Sequence, residues 1–150
     1  GNIYPRTKPS TPGDNRGDGF MKKQTTLYDP ENNTRGNCMV TCYANAIGLD
    51  PDDCPPFEKF FDVKHPDSYF YEDCVRIWFE RLGYILEKTT KDPLPKLNEH
   101  TFYFAIGPSQ RGVKHMVIWQ NGKIYHDPHP SNDGLLSVDY WEYLIPIERI

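Results

Sequence analysis

The dipeptide Asn121-Gly122 constrains this chain more than any other feature. It separates two β-rich runs, Lys114 to Trp119 and Lys123 to Asp127, and Asn-Gly between such runs is the strongest short-range signal for a β-hairpin. The turn then decides which residues face each other. A two-residue turn pairs His115 with Pro128 and sends Asp127 to the opposite face. A three-residue loop, Gln120-Asn121-Gly122 with a left-handed Gly122, pairs His115 with Asp127 on one face. Met116, Ile118, Ile124 and His126 then share the other face. We prefer the second register because it sets an imidazole beside a carboxylate, and a slip of one residue would reverse every side chain. Pro128 and Pro130 stiffen the chain just past Asp127.

The second strongly patterned stretch is Gly36-Asn37-Cys38-Met39-Val40-Thr41-Cys42-Tyr43-Ala44-Asn45-Ala46-Ile47-Gly48. Val40, Tyr43, Ala44 and Ile47 recur with helical period, and Gly48 is a natural C-terminal stop. Cys38 therefore falls on the first turn, where free backbone N–H groups and the positive end of the helix dipole favour a thiolate. A nucleophilic cysteine needs a base, and His115 with Asp127 is the only comparable chemistry in the chain. We therefore expect Cys38, His115 and Asp127 to meet as a Cys-His-Asp hydrolase site. Cys42, one turn further along, reads as core and is the fallback nucleophile.

The remaining sequence orders the elements. Residues 1–22 are rich in glycine, proline and polar side chains and read as a flexible arm, with Met21 opening more ordinary sequence and standing as a candidate native start. Residues 23–150 read as one domain. Gln24 to Leu27 is expected to be extended, and Asp29 to Arg35 to be a polar loop. Asp50-Pro51-Asp52-Asp53 carries an N-cap, a first-turn proline and acidic residues, so it starts a single helical turn over Phe57, Phe60 and Phe61. A helix is expected from about Tyr69 to Arg81, capped by Asp67 or Ser68, with Phe70, Cys74, Ile77 and Trp78 on its inner face. Strands follow at Tyr84 to Glu87, Thr101 to Ile106 and Tyr140 to Ile147. Helices before antiparallel strands is an α+β order.

Composition excludes several classes. The net charge of −4, with scattered basic residues, argues against binding to nucleic acid or a membrane surface. No apolar run approaches the ~18 residues of a membrane helix. The polar N-terminal stretch carries no secretory signal, and the spacing of the four cysteines is not that of a disulfide framework. The expectation is a cytoplasmic protein with reduced thiols. His126, Asp127 and His129 invite a metal, but no recognisable zinc spacing accompanies them, so neither metal nor cofactor is expected. The Tyr69–Tyr71 aromatic run reads as core in preference to a groove wall.

These residues resemble the papain-like cysteine hydrolases, a superfamily that includes bacteriocin-leader peptidases and cell-wall endopeptidases. More closely, Gln24-Thr25, Gly36-Asn37-Cys38, Pro56-Phe57, Gly107-Pro108-Ser109, Arg111-Gly112-Val113-Lys114-His115 and His126-Asp127-Pro128-His129-Pro130-Ser131 are similar to a group of small phage and bacterial proteins. The similarity spans roughly Gln24 to Leu135. It implies a papain-like fold, a Cys38-His115-Asp127 triad and, for a phage-encoded protein, action in the host cytoplasm. Papain-like enzymes place an oxyanion-holding glutamine a few residues before the nucleophile. Asn32 and Asn33 occupy that region here, so the role falls to Gln24, with the Cys38 backbone N–H as second donor. Apart from the resemblance, Arg111 in the Gly107–Gly112 loop is a candidate for steering an anionic substrate, the alternative being a simply solvated side chain.

The expected function is a thiol hydrolase that cleaves a peptide, isopeptide or related amide through an acyl-enzyme, with transfer to an amine as a variant of the same chemistry. Its partner is then a peptide or protein substrate. A reading from a different class is a binding protein that keeps the fold without turnover, such as a phage-encoded inhibitor capturing a host protein or small ligand.

Overall fold

The computed structural model describes residues 21–60 and 70–148. Its frame is one antiparallel sheet of five strands: β1 (Tyr84–Thr89), β2 (Phe102–Pro108), β3 (Lys114–Gln120), β4 (Lys123–His126) and β5 (Tyr140–Pro146), in the order β1-β5-β2-β3-β4. Two helices, α1 (Cys38–Ile47) and α2 (Phe70–Leu82), precede the strands in the chain. The α+β class expected from element order is therefore the observed one.

Alternation along the strands builds a core on each face of the sheet. Phe104, Ile106, Met116, Ile118 and Tyr125 join Val40, Cys42, Tyr43 and Ala44 of α1 and Val75 and Phe79 of α2. Tyr43 lies edge-on to both Phe79 and Phe104, with ring centroids 4.9 and 5.0 Å apart. Such pairs add ~0.5–1.5 kcal/mol to the burial of the rings themselves. On the opposite face Tyr103, Ala105, Val117, Ile124, Leu135 and Trp141 form a second cluster, covered by Leu94, Leu97 and Val138.

Local signals fix the helix ends. Gly48 closes α1 in the left-handed conformation, with its N–H directed at the carbonyls of Ala44 and Asn45. Asp50 accepts from the Asp52 N–H and starts the single turn Pro51–Asp53. Leu27 and its neighbours form no strand, and Asp29 to Arg35 is a loop braced by a bridge between Asp29 and Thr34. The expectations for residues 1–20, for Phe60, Phe61, Phe70 and the Tyr69–Tyr71 run as side chains, and for a cap at Asp67 or Ser68 lie outside the described residues.

Three expectations are corrected. The inner face of α2 is centred on Val75 and Phe79, flanked by Cys74 and Trp78, while Ile77 is exposed. A helix advances about 100° per residue, so Ile77 points well away from the 74/75/78/79 stripe. Met21 and Lys22, assigned to the arm, belong to the packed domain. Met21 is buried, and the Lys22 backbone exchanges hydrogen bonds with the Asn45 side chain at 3.0 and 2.8 Å.

The third correction is the hairpin register. Gln120 pairs with Lys123 and Trp119 with Ile124, so Asn121 and Gly122 form a two-residue turn, with φ of 50° and 77°. Both positive values suit the primed turn that matches strand twist. The register then shifts by one between Trp119 and Ile118, which pairs with His126. Tyr125 is the extra residue of a β-bulge and turns toward the helix face, against Phe102. Ile124 thus faces the core opposite to that of Met116 and Ile118. Asp127 lies past the end of β4 and reaches His115 from the following loop, outside any ladder pairing.

Candidate active site

Cys38 is the first residue of α1. Asn37 before it does not cap the helix with its side chain. Its Oδ1 accepts instead from the backbone N–H groups of Thr25 and Thr26 at 3.0 and 2.9 Å, and its Nδ2 donates to Thr25 Oγ1 at 3.0 Å. The first-turn amides of α1 are thereby left without a side-chain cap, and the positive helix end meets the half-buried Cys38 thiol.

His115 lies near the start of β3 and is buried. Its Nε2 is 2.7 Å from Asp127 Oδ1. Because Nε2 is committed to the carboxylate, it carries the proton there, and Nδ1 is the ring nitrogen open to the thiol. Burial works against a charged imidazole. The hydrogen bonds to Asp127 and Cys38 outweigh it and lift the His115 pKa to about 9.

Asp127 is sealed from solvent and fully satisfied. Oδ1 also accepts from the His129 N–H at 2.8 Å, and Oδ2 accepts from the Gly134 N–H at 2.8 Å. Burial penalises its charge, but His115 and these two amides hold the carboxyl below its ordinary range. The loop that carries it is tied down by Lys23. That ammonium donates to the Asp127 carbonyl at 2.6 Å, to the His129 carbonyl at 3.2 Å and to Asn132 Oδ1.

A cavity of about 240 Å³ opens onto Cys38 and His115, lined also by Gln24, Gly36, Arg111 and His129. The Gln24 backbone N–H donates to the Pro128 carbonyl at 2.8 Å, and its side-chain Nε2 donates to the Thr26 carbonyl at 2.9 Å. Its Nε2 keeps a second proton, and a Cβ at Gly36 would stand 3.0 Å from that nitrogen, so glycine there allows the amide its place. Arg111 is exposed at the rim and donates to Ser131 Oγ at 3.2 Å. His129 stands edge-on to His115, with ring centroids 6.0 Å apart. Burial, followed by the charges of Arg111 and His115, depresses the His129 pKa.

The residues singled out by sequence thus separate into two groups. Cys38, His115, Asp127, Gln24 and Arg111 are brought to one place. Cys42 is not: it is fully buried, its thiol donates to the Met116 carbonyl at 3.5 Å, and burial pushes its pKa well up. A thiol so placed cannot serve as fallback nucleophile. His126 Nε2 points to the Lys22 carbonyl at 3.0 Å. No group of three or more His, Cys, Asp or Glu side chains able to hold a metal converges among the described residues. Sequence reasoning missed Lys23, Asn37 and the Gly134 amide. Asn37 alone carried a signal, as a polar residue in the N-cap position.

Comparison with known proteins finds no matching family model, no similar curated protein and no similar solved structure. No helix among the described residues is long and apolar enough to cross a membrane.

Chemically, the arrangement offers a thiol at a positive helix end, an imidazole with one nitrogen toward it, and a buried carboxylate fixing the other nitrogen. Uncapped backbone N–H groups and a glutamine amide lie on the same cavity. These are the parts required for nucleophilic attack on an acyl carbon.

Proposed function

We propose that this chain is a papain-like thiol hydrolase, acting on a peptide, isopeptide or related amide through an acyl-enzyme on Cys38. The observation that carries it is the 2.7 Å contact between His115 Nε2 and a fully buried Asp127, beside a cysteine on the first turn of α1. In papain-like order, the cysteine helix comes first, the histidine strand later and the carboxylate after it. This chain follows that order on an α+β scaffold.

In the proposed cycle His115 Nδ1 takes the Cys38 proton and the thiolate attacks the acyl carbon. The Cys38 N–H and the free Nε2 proton of Gln24 hold the oxyanion. His115 then protonates the leaving amine, and water or an acceptor amine releases the acyl group. Asp127 stabilises the imidazolium and keeps the ring oriented throughout.

A small activated ester such as p-nitrophenyl acetate tests this reading. A burst of p-nitrophenol stoichiometric with protein and a thioester on Cys38 by mass spectrometry are the expected results, both absent in Cys38→Ala. Absence of any acyl adduct in the wild type would move the chain to the class of binding proteins.

A further inference from the structure

A second cavity, of about 250 Å³, is lined by residues of α1, α2, β1, β3 and β5. Met39 and Met116, the chain neighbours of Cys38 and His115, both line it, while Cys38 and His115 themselves line the first cavity. Val75 and Leu86 add apolar wall, and Tyr140 adds a ring. At this size, just below the ~300–1,000 Å³ of pockets for drug-sized ligands, it suits one side chain.

Four charged residues also line the cavity, Glu72, Arg76, Lys88 and Glu142, and of these only Glu142 is buried. The residue is only 4% exposed. Its Oε1 accepts the Tyr43 hydroxyl at 2.5 Å, and it forms no further hydrogen bond or ion pair among the described residues. Glu142 lines the cavity, and its second carboxyl oxygen has no hydrogen-bond partner among the described residues. Burial raises the Glu142 pKa accordingly, against the hydrogen bond from Tyr43 and the charge of Lys88.

The other charges at this cavity are engaged elsewhere. Lys88 pairs with Glu72 at 3.3 Å and Arg76 with Asp73 at 2.9 Å. Lys88 and Lys114 stand over the Tyr140 ring at 5.2 and 4.8 Å from its centroid. None of these cations is within ion-pair distance of Glu142, so the deep carboxyl keeps its capacity for an incoming donor.

We propose that this cavity is a substrate subsite for an aminoalkyl side chain, a lysine of the peptide, whose ammonium meets Glu142 while its methylenes lie along Met39, Met116, Val75 and Leu86. A lysine matches both halves: a methylene stem for apolar walls and a compact cation for the carboxylate at the end. The inference rests on the proposed hydrolase, since it places the lysine beside the acyl group attacked by Cys38.

Two measurements test it. In the first, a lysyl chloromethyl ketone and its norleucyl analogue compete for Cys38. The lysyl reagent should label at least ~10-fold faster in wild type, and the ratio should fall to about one in Glu142→Gln, which keeps an acceptor for Tyr43. Equal rates in wild type, or a preference that survives Glu142→Gln, overturn the subsite. In the second, N-acetyl-lysine amide and N-acetyl-norleucine amide are titrated into Cys38→Ala by NMR, where no chemistry occurs. Saturable binding of the lysine compound alone, lost in Cys38→Ala/Glu142→Gln, supports the subsite even with an inert Cys38, in which case only the hydrolase reading fails. No discrimination between the two amides contradicts the subsite and leaves the hydrolase standing.

Discussion

Asp127 and Glu142 are both carboxylates sealed almost completely from solvent, and the fold treats them in opposite ways. Asp127 accepts from His115 and from two backbone amides, and its pKa is depressed despite burial. Glu142 has one hydroxyl donor, and burial drives its pKa up. Burial alone therefore does not decide what a carboxylate does; the number and charge of its donors does. A carboxylate saturated by the protein is a fixture that orients a neighbour. One left a donor short is a place where something else can bind.

The largest effect should come from breaking the saturated side. Asp127→Asn offers one acceptor oxygen where three donors converge, so its amide nitrogen must confront a donor. Thioester formation on Cys38 should slow by roughly 10²–10⁴-fold, followed by stopped-flow release of p-nitrophenol. Urea unfolding should show a stability loss of about 1–3 kcal/mol. A variant matching wild type in both would remove Asp127 from the site.

A milder disturbance is Lys23→Met, which leaves Asp127 in place but removes the ammonium holding the 127–132 loop. A loss of about 1.5–3 kcal/mol is expected, the range for hydrogen bonds to a charged group, with a rate decrease smaller than that of Asp127→Asn. A larger rate loss than in Asp127→Asn would mean that Lys23 acts other than through the loop.

pH separates the two carboxylates again. The His115 pKa is raised from 6.5 to about 9, so its contribution to stability is complete below pH 6.5 and fades as pH rises through about 9. The depressed Asp127 pKa contributes above the ordinary aspartate value of ~3.9, and that contribution is lost as pH falls through the folded value. Thermal unfolding should therefore peak between these limits and fall on both sides, with the alkaline fall shallower in His115→Ala, where only groups such as Glu142 and Cys42 still contribute to it. The smallest effect belongs to Glu142→Gln. A raised carboxyl pKa gives stability that fades with rising pH, so at pH 8 this variant should melt no lower than wild type, the reverse of Asp127→Asn. A clear drop in its melting temperature at pH 8 would make Glu142 a structural anchor like Asp127.

Much of this was legible in the residues. The period of Val40, Tyr43 and Ala44 and the Gly48 stop placed α1, and Asn121-Gly122 placed the hairpin. Both depend on local backbone preferences that a few residues carry. The expected register failed first at the turn, where Asn121 and Gly122 both take positive φ and form a two-residue turn in place of a three-residue loop. It shifts again at the Tyr125 bulge, where packing against Phe102 is tertiary and no short-range pattern encodes it. His115 and Asp127 still meet, through a loop held by Lys23 and Gly134, partners far apart in sequence. The inner face of α2 was misread for a similar reason: apolar residues lie all around it, and only the sheet selects which are covered. Glu142 gave no sign in sequence, since a glutamate amid β5 reads as an ordinary polar strand position until Tyr43 and the cavity are placed beside it.

The most direct test of the central claim is the alkylation rate of Cys38 by iodoacetamide as a function of pH, in wild type and in His115→Ala. Mass spectrometry separates Cys38 from the sealed Cys42, which serves as the internal unreactive thiol. Fast labelling that persists at pH 6 in wild type and falls by ~100-fold or more in His115→Ala is the expected result. A Cys38 that labels only as an ordinary thiol titrates, near pH ~8.5, and equally in both proteins would contradict an activated Cys38–His115 pair.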